Sequence, residues 1–217
     1  MGAYEAVIFD SDGVLVEPTD QELYADALRT AFEDHGVFDP NETHLEELRS
    51  VTPDVLDRIC GAYDLEIGAF WRSRDRCASE TQCSAITDGR KPAYDDLNAI
   101  FEIDRPCAIV SNNQHRTIEA VVETHGLKGT VVSWYGRQPT LEDIDRKKPN
   151  PYYVERALSD VGTQNALFVG DSNADLLAAE RAGIDAAFID RPHRADYELV
   201  TEPEYWITGL DDVVELV

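Results

Sequence analysis

Side chains able to do chemistry recur where the chain passes from an apolar run into a turn. Asp10 and Asp12 stand two apart in FDSDGVL, and Ser111 and Asn112 follow CAIV. Lys148 sits in KKPNPYY, and Asp171 and Asp175 stand four apart in GDSNAD. Each group alone has an ordinary explanation: a DxDG stretch is a common turn, a serine caps helices, and a lysine suits a solvated surface. Four of them in order, each just after an apolar run or just before a helix, describe one site. Carboxylates brought together repel, and a hard dication with oxygen ligands is the cheapest way to keep them ionised, which makes Mg²⁺ the natural cofactor. Such a cluster, joined by a lysine and a hydroxyl, binds a phosphoryl group, and a carboxylate in line with phosphorus can attack it.

The elements that must hold these residues are visible as apolar runs. AVIFD (6–10), CAIVS (107–111), ALFVG (166–170) and DAAFID (185–190) read as buried strands, and helical patterns such as HRTIEAVVETHG and NADLLAAERAG lie between them. Strands alternating with helices predict an α/β fold with a Rossmann-like parallel sheet covered on both faces, and sites in such sheets gather beyond the carboxyl ends of the strands. Residues 19–85 contain only helical spacing, as in LYADALRTAFEDHG, HLEELRSV, VLDRICGAYD and IGAFWRSRDRCASE. The expected organisation is therefore a core of residues 1–18 and 86–217 interrupted by a helical domain of residues 19–85, with TDG at 87–89 as a return hinge. Lys148 precedes the proline that opens a helix from Pro151 to Leu158.

At these residues the sequence resembles the haloacid dehalogenase superfamily, whose four motifs it matches in order over nearly the whole chain. The resemblance implies that Asp10 is a nucleophile that becomes transiently phosphorylated and that Asp12 is the general acid and base. It implies that Asp10, the Asp12 carbonyl and Asp171 bind Mg²⁺, that Ser111 and Lys148 hold phosphoryl oxygens, and that Asp175 positions Lys148 or a metal-bound water. Gly13 allows a sharp turn after Asp12, and the Asn112 amide offers one more donor to the phosphate. The helical insert matches the superfamily's mobile cap, so its arginines, Arg49, Arg72, Arg74 and Arg76, are the candidate substrate contacts. Dehalogenases lack a carboxylate at the position of Asp12, because a halide leaving group needs no proton; Asp12 therefore favours phosphoryl transfer. The stretch FDSDGVLV with an early helical cap looks most like the phosphoglycolate phosphatase and β-phosphoglucomutase branch, which implies a small-molecule phosphate monoester as substrate. A sugar phosphomutase, or a non-catalytic module on the same fold, are the alternatives.

With 43 acidic and 19 basic residues, the chain has a net charge of −24 spread along its length, and only four of the cations are lysines. That field repels nucleic acid and anionic membrane surfaces. No apolar stretch approaches the roughly 20 residues that span a bilayer, and no charged-then-apolar leader precedes Asp10, so the expected location is the cytoplasm. Cys60, Cys77, Cys83 and Cys107 lack metal-ligand spacing and are expected to be reduced. The oligomeric state is left open. The composition resembles that of salt-loving archaeal proteins, in which self-repulsion is screened when the Debye length falls to about 3 Å near 1 M salt. The melting temperature is accordingly expected to rise as KCl is taken from dilute buffer into the molar range; a flat or falling trend in calorimetry refutes that expectation.

Overall fold

The computed structural model describes residues 4–217, so residues 1–3 of the expected core lie outside the described residues. Four strands form where the apolar runs stand: β1 (Ala6–Phe9), β2 (Cys107–Gln114), β4 (Ala166–Gly170) and β5 (Asp185–Ile189). Two further strands, β3 (Val131–Arg137) and β6 (Tyr205–Ile207), extend the sheet at its two ends. The strand order is β3-β2-β1-β4-β5-β6 and every pairing is parallel. Side chains of a strand alternate between faces, and the core divides accordingly. Val7 and Phe9 of β1 join Ile109, Leu167 and Ile189 on one face, while Ala6 and Ile8 join Val110, Phe168 and Phe188 on the other. With both faces buried, the middle strands β1 and β4 are apolar without interruption.

The helices α5 (His115–Thr124), α6 (Glu142–Asp145), α7 (Tyr152–Val161), α8 (Asn173–Ala182) and α9 (Asp211–Leu216) belong to the connections around the sheet. Two of them end on glycine in the left-handed region, Gly162 at φ +77° after α7 and Gly183 at φ +75° after α8. Between β1 and β2 the chain builds α1 (Gln21–Glu33), α2 (Glu42–Glu47), α3 (Pro53–Ala62) and α4 (Ile67–Thr87), with no strand among them. Asp20, Asn41, Thr52 and Glu66 cap their N-termini by accepting backbone N–H bonds. Helix α4 is a single 21-residue helix. It runs past the expected boundary at residue 85 and takes in Thr87, leaving Gly89 (φ +80°) to reverse the chain.

This helical block has a core of its own, formed by Leu28, Phe32, Leu48, Leu56, Ile59 and Phe70 among others, to which Ile144 of α6 adds from the sheet side. The two crossings between block and sheet run side by side: Glu17 N–H donates to the Pro92 carbonyl, Val16 bridges Ala93, and Tyr94 N–H donates to the Leu15 carbonyl. Phe32 is fully buried, with ring centroids 4.7 Å from Phe70 and 5.1 Å from Tyr63. Phe32→Ala should cost about 3–5 kcal/mol, the scale for a truncated core phenylalanine. The loss should fall on the block: urea unfolding followed by hydrogen exchange should show α1 and α4 losing protection before β1 and β4.

Candidate active site

Beyond the carboxyl ends of β1, β2 and β4 the expected residues do converge. Asp10 follows β1, Ser111 and Asn112 end the regular part of β2, and Asp171 follows β4; all of them, with Lys148 and Asp175, line one cavity of about 570 Å³. Lys148 is the hub. Its ammonium lies 2.9 Å from Asp10 Oδ1 and 2.6 Å from Asp175 Oδ1, and it donates to the Val110 carbonyl at 2.8 Å. Burial works against the charged lysine, but Asp10 and Asp175 outweigh it and hold its pKa above the ordinary value. Asp10 shows the opposite balance. Burial, reinforced by Asp175 and Asp171, pushes its carboxyl up to about 7 against the pull of Lys148.

One carboxylate oxygen each from Asp10, Asp171 and Asp175 lies within 4.8 Å of the others. The third carboxylate of this cluster is Asp175, and the Asp12 side chain goes elsewhere. Asp175 is fully buried, and its other oxygen accepts from the Ser172 amide at 3.1 Å and from the Ser172 hydroxyl, closing a capping box at the start of α8. Asp171 accepts from His193 Nε2 at 2.6 Å and Arg194 Nε at 2.9 Å. Burial alone would raise its pKa, but these two partners prevail and lower it. Gly13 stands over this carboxylate: a Cβ there would lie 2.1 Å from Asp171 Oδ2, so close approach demands glycine as much as the φ of +84° does.

Three further placements differ in detail from what spacing conveys. The Asp12 carboxylate pairs with Lys91 and also accepts from Thr19 and from Asn113 Nδ2, while its Oδ1 is buried without a partner. Lys91 and Thr19 lie in the two chain crossings and Gln82, which accepts from both at 3.2 and 2.6 Å, lies on α4, so the helical block reaches Asp12 through these shared donors. The Asn112 side chain clasps the Lys148 backbone in both directions, at 2.7 and 2.9 Å, and is committed to holding that loop. The Ser111 oxygen accepts from the Asn113 amide at 3.3 Å. Of the four candidate arginines, Arg49 and Arg74 line the cavity, whereas Arg72 and Arg76 face a separate one. Sequence reasoning missed Lys91, His193, Arg194, Arg137 and Lys147; the scarcity of lysine, with two of four flanking the hinge and the phosphate loop, was the available signal for Lys91 and Lys147.

Residues 4–183 match the sequence profile of the haloacid dehalogenase-like hydrolases. The chain belongs to this hydrolase family. Among curated relatives, the hydrolase is 25% identical to the pyrophosphatase PpaX of Anoxybacillus flavithermus and 23% identical to that of Halalkalibacterium halodurans, with 97% of this chain and 95% of each relative covered. Its fold is shared with the crystal structure of CbbY from Rhodobacter sphaeroides in complex with phosphate, at TM-score 0.71 and 18% identity over 97% of this chain and 96% of that one. Among the described residues no helix is long and apolar enough to cross a membrane.

The raised Asp10 pKa has a measurable sign. Unfolded Asp10 titrates near 3.8 and folded Asp10 near 7, so the folded state holds the proton more tightly across that window. The associated stability is fully present below pH 4 and is lost as pH rises to about 7. Asp10→Asn cannot lose it. In metal-chelating buffer the variant should therefore gain stability relative to the wild-type hydrolase between pH 4 and 7 and gain no more above, as measured by urea unfolding; a constant difference would count against the burial of this carboxyl.

Proposed function

We propose that the hydrolase is a Mg²⁺-dependent phosphatase acting on small phosphate monoesters through a phosphoryl group carried on Asp10. The observation that carries the reading is the arrangement around Lys148, which joins Asp10 and Asp175 while Asp171 stands within 4.8 Å of both. The donor set suits the metal: buried carboxylate oxygens are the ligands Mg²⁺ prefers, and the absent side chain at Gly13 keeps the space above Asp171 open. Asp10, the Asp12 carbonyl and Asp171 would hold the ion, with Asp175 beside them. Bound there, Mg²⁺ neutralises the phosphoryl oxygens and lets Asp10 ionise beside them.

The chain's own residues do the rest. Asp10 attacks phosphorus while the Lys148 ammonium, the Ser111 hydroxyl and the Asn112 backbone amide hold the phosphoryl oxygens. Asp12 gives its proton to the leaving oxygen, and as base then takes one from the water that releases phosphate from Asp10. Asp175 keeps Lys148 in place, and Asn112 keeps the Lys148 loop in place. Residues 19–85 act as the cap that closes over the site and excludes bulk water. The relatives named pyrophosphatase bring pyrophosphate into the substrate panel beside the esters. Adaptation to high salt and a cytoplasmic location rest on the sequence alone.

Asp10→Asn should abolish turnover of nitrophenyl phosphate in Mg²⁺ while the circular dichroism spectrum is retained; residual activity near wild type would end the proposal. Asp12→Asn separates the two proton transfers. Formation of the phosphorylated enzyme should slow by roughly 10²–10⁴-fold for alkyl phosphates, which leave as basic alkoxides, and far less for nitrophenyl phosphate. Breakdown should slow equally for both. Rapid-quench measurement of the phosphorylated protein reads both steps, and equal losses in formation would show that Asp12 is not the acid.

A further inference from the structure

The segment after β5 sends two side chains into the carboxylate cluster. His193 Nε2 and Arg194 Nε both donate to the same atom, Asp171 Oδ2, at 2.6 and 2.9 Å. That oxygen also abuts Gly13, where an added Cβ would stand 2.1 Å from it and 2.9 Å from His193 Nε2. A carboxylate oxygen has two lone-pair sites, and at Oδ2 both are taken. Among the described residues no donor reaches the other oxygen, Oδ1. Asp171 lines the cavity, so it is pinned through one oxygen and has one left to offer.

The two pinning side chains are themselves fixed. Arg191, just before them, donates to both oxygens of Asp96 at 2.9 Å and to the Val14 carbonyl at 3.0 Å, and it lies 4.0 Å from the centroid of the Tyr94 ring. The Tyr94 hydroxyl pairs with His193 Nδ1 at 3.2 Å. The Arg194 guanidinium lies 4.6 Å from the centroid of Tyr197, whose hydroxyl accepts from the Asn173 amide at 3.2 Å. Neither donor is therefore free to follow Asp171 should that carboxylate turn. The neighbouring carboxylates show a related pattern. Asp10 Oδ1 takes the Ser11 amide at 2.7 Å and Lys148 at 2.9 Å, and Asp175 Oδ2 takes the amide and hydroxyl of Ser172. At Asp171 alone, both donors are side chains of a single distant segment.

We propose that His193 and Arg194 are positioning residues that restrict Asp171 to binding a metal through one oxygen, and that they thereby set the preference of the site for Mg²⁺ over Ca²⁺. Ca²⁺ gathers more oxygens and often takes both from one carboxylate, whereas Mg²⁺ demands a compact octahedron. Selection between them follows ligand number and rigidity, and an occupied Oδ2 on a fixed support limits both. The inference rests on the Mg²⁺ site of the phosphatase reading and adds to it the part played by residues that do not themselves bind the ion.

The test is calorimetric titration of the metal-stripped full chain with MgCl₂ and with CaCl₂ at constant ionic strength in KCl. Surface carboxylates also take up dications, so the same titrations of Asp171→Asn are subtracted. His193→Phe/Arg194→Met keeps the bulk of both side chains and removes both donors. In this variant the ratio of the Ca²⁺ to the Mg²⁺ dissociation constant should fall by roughly 10-fold or more, the scale on which partners of metal ligands act, mainly through tighter Ca²⁺ binding. Arg194→Met alone changes a part-exposed side chain and keeps the test open if the double variant does not fold; it should shift the ratio in the same direction. Losing the arginine charge favours both dications alike and cancels in the ratio. An unchanged ratio in a folded variant, including equal tightening of both ions, reduces the pair to counter-charges and overturns the inference while the Mg²⁺ site stands. If the wild-type chain shows no uptake beyond that of Asp171→Asn, the Mg²⁺ reading itself fails and the inference falls with it.

Discussion

The structure depends on one electrostatic constraint, the confinement of Asp10, Asp171 and Asp175 within 4.8 Å of one another in a buried place. An ionised carboxylate taken from water costs several kcal/mol even after the protein relaxes, and neighbouring carboxylates add repulsion. Lys148 answers two of the three directly, and His193 and Arg194 answer the third. Much of the surrounding architecture holds these donors where they are needed. Asn112 fixes the Lys148 loop, the Val110 carbonyl takes an ammonium hydrogen, and the chain after β5 brings His193 and Arg194 back over the end of β4.

The parallel sheet is what makes the constraint affordable. Its strands place Asp10, Ser111 and Asp171 at adjacent carboxyl ends without any side chain crossing the core, since β1 lies between β2 and β4. The helical block supplies what the sheet cannot. Its α4 carries Gln82 to Thr19 and Asn113, which also bond the Asp12 side chain, and Asp75 to Arg137, so both ends of the cavity depend on how the block sits. Any movement of the block therefore acts at once on the surroundings of the Asp12 side chain and on the pairing of Arg137 with Asp75.

How much could be read beforehand follows from the same division. The central strands carry apolar runs because they are buried on both faces, and residues at the ends of those in β1, β2 and β4 line the cavity. Edge strands give no such signal: β3 is a mixed segment, VVSWYGR, largely half-exposed, and β6 has three residues. The partners of the site escape for another reason. Lys91, Thr19, Gln82, Arg137 and His193 gain their meaning from segments brought together only by folding, 79 residues apart for Lys91 and Asp12. The side chain of Asp12 illustrates the limit. Its position after β1 is legible, yet its pairing with Lys91 depends on the return crossing.

That return crossing lies against the outgoing one, with Val16 beside Ala93 and Glu17 bonded to Pro92. Topologically, the chain leaves the sheet layer and re-enters it at the same point. An excursion whose ends meet leaves the register of every strand indifferent to its length and content. The segment between the two crossings can thus change in length while the strands that hold the carboxylates keep their pairing.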